Sequence, residues 1–225
     1  MTPASDPPLD RRPIAARHLR FFQQLASALA RKGVSANAIS TLGMVAGVLG
    51  GIALFMTPRV PGFSRALWGS AAALIQLRLL ANMLDGMVAI ERGTASRVGE
   101  LYNEVPDRVS DSAILIGLGY ATGGNILLGY AAALAAMFTA YVRAVGKAGG
   151  APSEFCGPMA KQHRMFLTTT VALFFAAAPE AWRRVELSGV SLGVAEAALI
   201  LIAAGSILTA LRRLLRIAGA LKGAP

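Results

Sequence analysis

The chain has 225 residues, of which 55% are hydrophobic and 15% charged, with a formal net charge of +10 and one cysteine. A soluble domain carries about 25% charged residues, so this composition excludes a disordered chain, a disulfide scaffold and an ordinary soluble enzyme. In a chain whose apolar residues come in runs of bilayer-crossing length, the basic excess marks cytoplasmic loops and contact with anionic membrane lipids rather than nucleic acid.

Residues 1–13, with Pro3, Pro7, Pro8 and Pro13 among polar neighbours, read as a loose tail. No hydrophobic signal core lies near Met1, so the amino end is expected in the cytoplasm. Over 14–32 the pattern turns helical. Leu19, Phe22, Leu25 and Leu29 share one side, with Arg17, Arg20 and Gln24 largely on the other, which predicts an amphipathic helix lying at the membrane interface. The alternative is that this face packs against the protein's own spans. Six apolar segments follow within a domain over 33–217: Ala36–Met56, Ala66–Ala89, Leu101–Tyr120, Ile126–Val142, Met165–Ala178 and Val190–Leu211. The fifth is short for a bilayer, so its helix is expected to begin near Met159. Residues 218–225 read as a C-terminal tail. With both ends inside, 16 Lys and Arg residues fall on the cytoplasmic side and four on the other, a strong positive-inside bias. Trp68 and Trp182 fall beside outer loops, where interfacial tryptophans gather. The expected fold is thus an all-α integral membrane protein of six transmembrane helices with an N-terminal interfacial amphipathic helix, both ends cytoplasmic, in a bacterial cytoplasmic membrane.

Ionisable residues inside a span are costly and point to function. Half of the 12 acidic residues lie between Asp85 and Asp111. Helical spacing places Asn82, Asp85, Gly86 and Ala89 on one face of the second span. In the third, Glu100, Asn103, Glu104, Asp107 and Asp111 recur at three- and four-residue steps. A short polar turn joins the two, so in an antiparallel hairpin the polar faces reach similar depth near the cytoplasmic surface. An oxygen-only set suits Mg²⁺, Mn²⁺ or Ca²⁺ rather than zinc. Spacing alone leaves three readings open: metal chemistry, an ion or proton path through a small transporter, and a polar network that holds the helices in register.

Asn82-Met-Leu-Asp85-Gly86-Met-Val-Ala89, followed by Gly99 and Asn103-Glu-Val-Pro-Asp107, resembles the CDP-alcohol phosphotransferase signature D-x2-D-G-x2-A-R-x8-G-x3-D-x3-D with every spacing kept. Gly33-Val-Ser35-Ala-Asn37-Ala-Ile-Ser40 also looks like the family's opening of the first span. The resemblance implies transfer of a phospho-alcohol group from a CDP-alcohol, often CDP-diacylglycerol, to an acceptor hydroxyl with release of CMP. It implies two divalent metals, Mg²⁺ or Mn²⁺, held against the donor diphosphate by the residues at the four acidic positions, here Asn82, Asp85, Asn103 and Asp107. Asp107 is the candidate general base, and Gly86, Ala89 and Gly99 would give close access to the cytidine diphosphate. A homodimer is also implied.

Three positions depart from the signature: Asn82 and Asn103 replace aspartates, and Ile90 replaces the arginine. An Asn carbonyl can bind a hard cation but brings no charge. Either the metals arrive with the donor phosphates, or Glu100, Glu104 or Asp111 leans into the site. The matched Asn pair reads as a variant branch with altered metal binding. Its rivals are an inactive relative that binds lipid or nucleotide and a small-solute transporter. Arg143, Lys161 and Arg164, in the fourth-to-fifth connection, could hold the phosphate of a polyol-phosphate acceptor. Positive-inside bias alone would also place basic residues there. Glycerol 3-phosphate is the leading expectation for that acceptor, followed by inositol phosphate or another polyol. Arg78 needs a partner that the sequence does not name.

Overall fold

The computed structural model describes residues 19–94, 97–187 and 190–222. The proposed tail and the first residues of the amphipathic helix lie outside this range. Helix α1 covers Arg20–Arg31, α2 Ala36–Met56, α3 Ser64–Glu91, α4 Arg97–Tyr120, α5 Ile126–Ala148, α6 Lys161–Ala177 and α7 Val194–Lys222. Strands β1 (Arg184–Leu187) and β2 (Val190–Gly193) form an antiparallel pair in which Val185 faces Leu192.

The helix limits follow from local chemistry. Ser35 caps α2 by accepting a hydrogen bond from the Ala38 N–H at 3.2 Å. Gly93, at φ +62°, closes α3: its own N–H reaches the Ile90 carbonyl, and that of Thr94 the Ala89 carbonyl. Such a left-handed cap suits glycine. The sixth segment differs from expectation at both ends. Val190-Ser-Leu-Gly193 pairs with Arg184–Leu187 as a strand, so the helix starts only at Val194. It then runs without a break to Lys222, through the residues read as a tail. The fifth segment's helix does begin earlier than Met165, at Lys161, close to the expected Met159, and extended Ala160, with ψ 164°, sets its limit.

Among the described residues, four helical stretches are long and apolar enough to cross a membrane: Ala36–Met56, Pro61–Glu91, Ile126–Ala148 and Val194–Lys222. Large apolar side chains such as Leu127, Leu134, Phe166 and Leu215 point outward from the bundle. Length, composition and outward faces are together those of an integral membrane protein. Helix α4 falls short of the four because its first half carries the acidic cluster, and α6 because it has 17 residues.

Packing brings α2 against both α3 and α4, α3 against α6, and α5 against α4 and α7. The seam between α2 and α4 is glycine-lined. A Cβ on Gly51 would lie 2.3 Å from the Ala113 carbonyl oxygen, and one on Gly117 2.3 Å from that of Gly51. Only bare backbone permits this approach. The main core gathers Ile75, Leu115, Leu118, Phe175, Leu199 and Ile202. Trp68 belongs to this core and not to an interfacial belt: it is fully buried and stacks on Phe175 with ring centroids 4.5 Å apart. Trp182 is exposed. A second cluster sets Ala26 of α1 against Ile39, Ala81, Leu84 and Val88. The buried side of α1 therefore packs on α2 and α3, while Phe21 stays 66% exposed.

The α5–α6 connection is tied to α7. Arg213 donates from Nε to the Cys156 carbonyl and from Nη1 to the Thr139 carbonyl, each at 3.0 Å. The Met159 N–H donates to Thr209 Oγ1 at 2.9 Å. These bonds fix where α6 begins, and with it the height of Lys161.

Candidate functional site

The tight cap at Gly93 ends α3, and α3 and α4 both pack on α2 with their polar faces turned to a space between them. The resulting cavity is lined by Ser40, Gly43 and Met44 of α2, by Arg78, Asn82 and Asp85 of α3, and by Asn103, Pro106, Asp107 and Ser110 of α4. The four residues at the signature's acidic positions thus face one space. Pro106 has no N–H to return to the α4 carbonyl one turn earlier, which loosens the helix ladder beside Asn103.

Asp85 is buried. Its Oδ2 accepts from the Ser40 hydroxyl at 2.6 Å and its Oδ1 from the Gly86 N–H at 2.5 Å. Each carboxylate oxygen keeps lone-pair capacity beyond one bond. Asn103 Oδ1 is buried with no hydrogen-bond partner. On the other wall, Asp107 is held by cations on both oxygens. Arg78 Nη2 donates to its Oδ1 at 3.0 Å, Lys161 Nζ donates to its Oδ2, and Arg108 Nη2 lies 3.8 Å from Oδ2. Arg78 is 1% exposed and is the hub of this wall. It also donates to Asp111 Oδ1 at 2.5 Å and, through Nε, to Ser110 Oγ at 3.0 Å.

The remaining candidates fall at different distances from the cavity. Asp111 is sealed behind Asp107, between Arg78 and Arg164, whose Nη2 lies 3.4 Å from Asp111 Oδ2. Arg164 is itself buried and donates to the Met159 carbonyl at 2.9 Å. Glu104 pairs with Arg143 and, at 3.4 Å, with Arg108. Arg143 also stands over the Phe155 ring, 5.2 Å from its centroid. Gly86, Ala89 and Gly99 are half-buried and are not among the residues lining the cavity. The side chain of Glu100 lies outside the described residues. Sequence reasoning left Arg78 without a partner and did not single out Ser40 or Ser110 for the site. Ser40 could have been found from its place one turn into α2, level with the polar end of α3.

Among the described residues, no three His, Cys, Asp or Glu side chains converge as a metal set. The donors instead mix carboxylate and amide. On the Asp85 side, a carboxylate with spare lone pairs and the orphaned Asn103 oxygen, with Asn82 in the same wall, suit a hard divalent cation. On the Asp107 side, both oxygens are already bound to Arg78 and Lys161.

Comparison with known proteins points to one family. The phosphatidylinositol phosphate synthase of Streptomyces avermitilis is 30% identical over 204 residues, 88% of this chain and 78% of the relative. Among solved structures, the Mycobacterium tuberculosis phosphatidylinositol phosphate synthase with CDP-DAG bound superposes with a TM-score of 0.68 at 22% identity, over 92% of this chain and 96% of that one. The same enzyme in complex with manganese and citrate gives 0.68 at 23%, over 87% and 88%. The profile of the CDP-alcohol phosphatidyltransferase family matches residues 34–211. That match takes in every helix lining the cavity, and the chain belongs to the CDP-alcohol phosphatidyltransferase family, transferases of membrane phospholipid synthesis.

Proposed function

We propose that this protein transfers a phosphatidyl group from CDP-diacylglycerol to a hydroxyl of a polyol phosphate and releases CMP. The observation that carries the reading is the shared cavity, in which Asn82, Asp85, Asn103 and Asp107 meet from two consecutive helices at the signature spacing. In the proposed step the acceptor oxygen bonds to the phosphorus bearing diacylglycerol. The bond from that phosphorus to the bridging oxygen breaks and CMP departs with it. Asp107 receives the hydroxyl proton.

Asp85, Asn82 and Asn103 would hold Mg²⁺ or Mn²⁺, which neutralises diphosphate charge during phosphoryl transfer. The manganese complex of the mycobacterial enzyme supports a divalent ion here. Ser40 and the Gly86 N–H orient Asp85, and Arg78 and Lys161 fix Asp107. Arg164 is sealed on Asp111 deep in the bundle and Lys161 is held on Asp107. The acceptor phosphate is therefore assigned to Arg143, the most exposed of the three, whose partner Glu104 is itself exposed enough to release it. The name of the Streptomyces relative favours inositol phosphate over glycerol 3-phosphate as that acceptor.

The proposed setting is six spans, α2 to α7, with both ends cytoplasmic and the cavity open to the cytoplasm. Helix α1 lies at the interface against α2 and α3, and the protein acts as a homodimer. The test is CMP release by purified protein from CDP-diacylglycerol with a panel of polyol phosphates, in Mg²⁺, Mn²⁺ and EDTA. Metal-dependent CMP with inositol phosphate is expected. Absence of CMP with every acceptor, in folded protein, overturns the proposal.

A further inference from the structure

We infer that the cavity takes a single divalent cation on the Asp85 side, and that Lys161, backed by Arg78, supplies fixed positive charge where a second cation would sit. What this charge serves rests on the phosphatidyltransferase reading; how many ions bind rests on the geometry.

Three observations meet here. First, Asp107 has a cation on each oxygen: Arg78 at 3.0 Å on Oδ1, and Lys161 on Oδ2. The remaining lone pairs of this carboxylate lie beside fixed positive charge, so a metal claiming it meets the repulsion of Arg78 and Lys161 at close range. Arg78 cannot swing away, because Ser110 and Asp111 also hold it and it is 1% exposed.

Second, Lys161 is a placed residue and not a loose surface lysine. It opens α6 directly after a connection pinned to α7 through Met159 and Thr209, and its side chain is 15% exposed. Its ammonium is a compact point charge, the side-chain group nearest in kind to a small cation.

Third, the other wall keeps the features of an ion site. Asp85 has spare lone pairs, and Asn103 Oδ1 is a buried acceptor without a partner. A hard cation, which prefers neutral and charged oxygens together with phosphate, satisfies that acceptor. The changes are matched in charge. Asn82 and Asn103 remove two negative charges relative to the signature, which is what one divalent ion would have balanced.

The full-length protein, stripped with EDTA and exchanged into metal-free buffer, is titrated with Mn²⁺, and the free ion is read by electron paramagnetic resonance. One Mn²⁺ per chain is expected, with the spectrum of an isolated ion, and D85N abolishes it. A variant combining K161M with N82D and N103D is expected to bind a second Mn²⁺ at least about tenfold more tightly than wild type, with spin coupling between the two. Two ions per wild-type chain, or none, overturns the inference, as does a folded triple variant that stays at one. The wild-type count decides alone if the triple variant does not fold. One Mn²⁺ without CMP release keeps this inference and overturns the transferase reading, whereas two with CMP release does the reverse.

Discussion

Asp107 sits where three cations converge from α3, α4 and α6, and its neighbours set what each substitution should do. Asp107→Asn removes the proposed proton acceptor while keeping its shape, so CMP release should fall by at least about 100-fold. Unchanged turnover in that variant would remove Asp107 from the chemistry. Arg78→Met leaves Asp107 and Asp111 buried without their shared counter-ion. Losing one partner of a buried pair costs about 3–5 kcal/mol, and a lower thermal midpoint is the readout. At this scale the sequence was half legible. Three- and four-residue steps put Asn82, Asp85, Asn103 and Asp107 on facing helix sides, and the cavity contains all four. The partner of Arg78 could not be read, because it depends on how α3 is rotated against α4. Asp111 and Glu104 looked like spare acids by the same spacing, but arginines from α3, α5 and α6, distant in sequence, hold them instead.

Between helices, the seam of α2 and α4 sets the site's width. A Cβ on Gly47 would fall 2.5 Å from the Ser110 Cβ, and Ser110 is also a hydrogen-bond partner of Arg78. Gly47→Val should therefore push α4 outward, at the overpacking cost of about 1–3 kcal/mol. CMP release should drop although no ligand-facing atom is altered. A variant with wild-type melting and wild-type turnover would show that the seam does not position α4. Ser35→Ala, at the start of α2, should cost only about 1 kcal/mol. The limits of α2 were readable from the apolar run over Ala36–Met56. Those of α7 were not. Val190 to Gly193 is apolar enough to pass for helix, and only its pairing with Arg184–Leu187 makes it a strand. Trp68 was misplaced for a related reason: nearness to a loop in sequence gives no measure of burial, and the Phe175 ring that covers it lies on α6.

Across the whole molecule, the single Cys156 reports orientation without engineering. It lies in the α5–α6 connection on the proposed cytoplasmic side, so a membrane-impermeant maleimide should label it in inside-out vesicles and not in right-side-out ones. The reverse pattern would invert the topology. Burial, with Glu154 beside it, pushes this thiol up from its ordinary range. Less thiolate is then present near neutrality, and the labelling rate should keep climbing beyond about pH 8.5, where an ordinary thiol is already half ionised. The proposed orientation rests on the positive-inside count, which needs only the position of each Lys and Arg relative to the spans. The tether from Arg213 to the Cys156 and Thr139 carbonyls was not readable, since it joins residues far apart in the chain. The ion pairs around Asp107 have one more consequence. Arg78 and Lys161 tie α3 and α6 to α4 with covalently attached charge, so the architecture of the site does not wait for a dissociable ion. Chelation should silence the protein without loosening it: EDTA is expected to abolish turnover yet move the thermal midpoint by only a few degrees, and metal restored afterwards should find its seat already built.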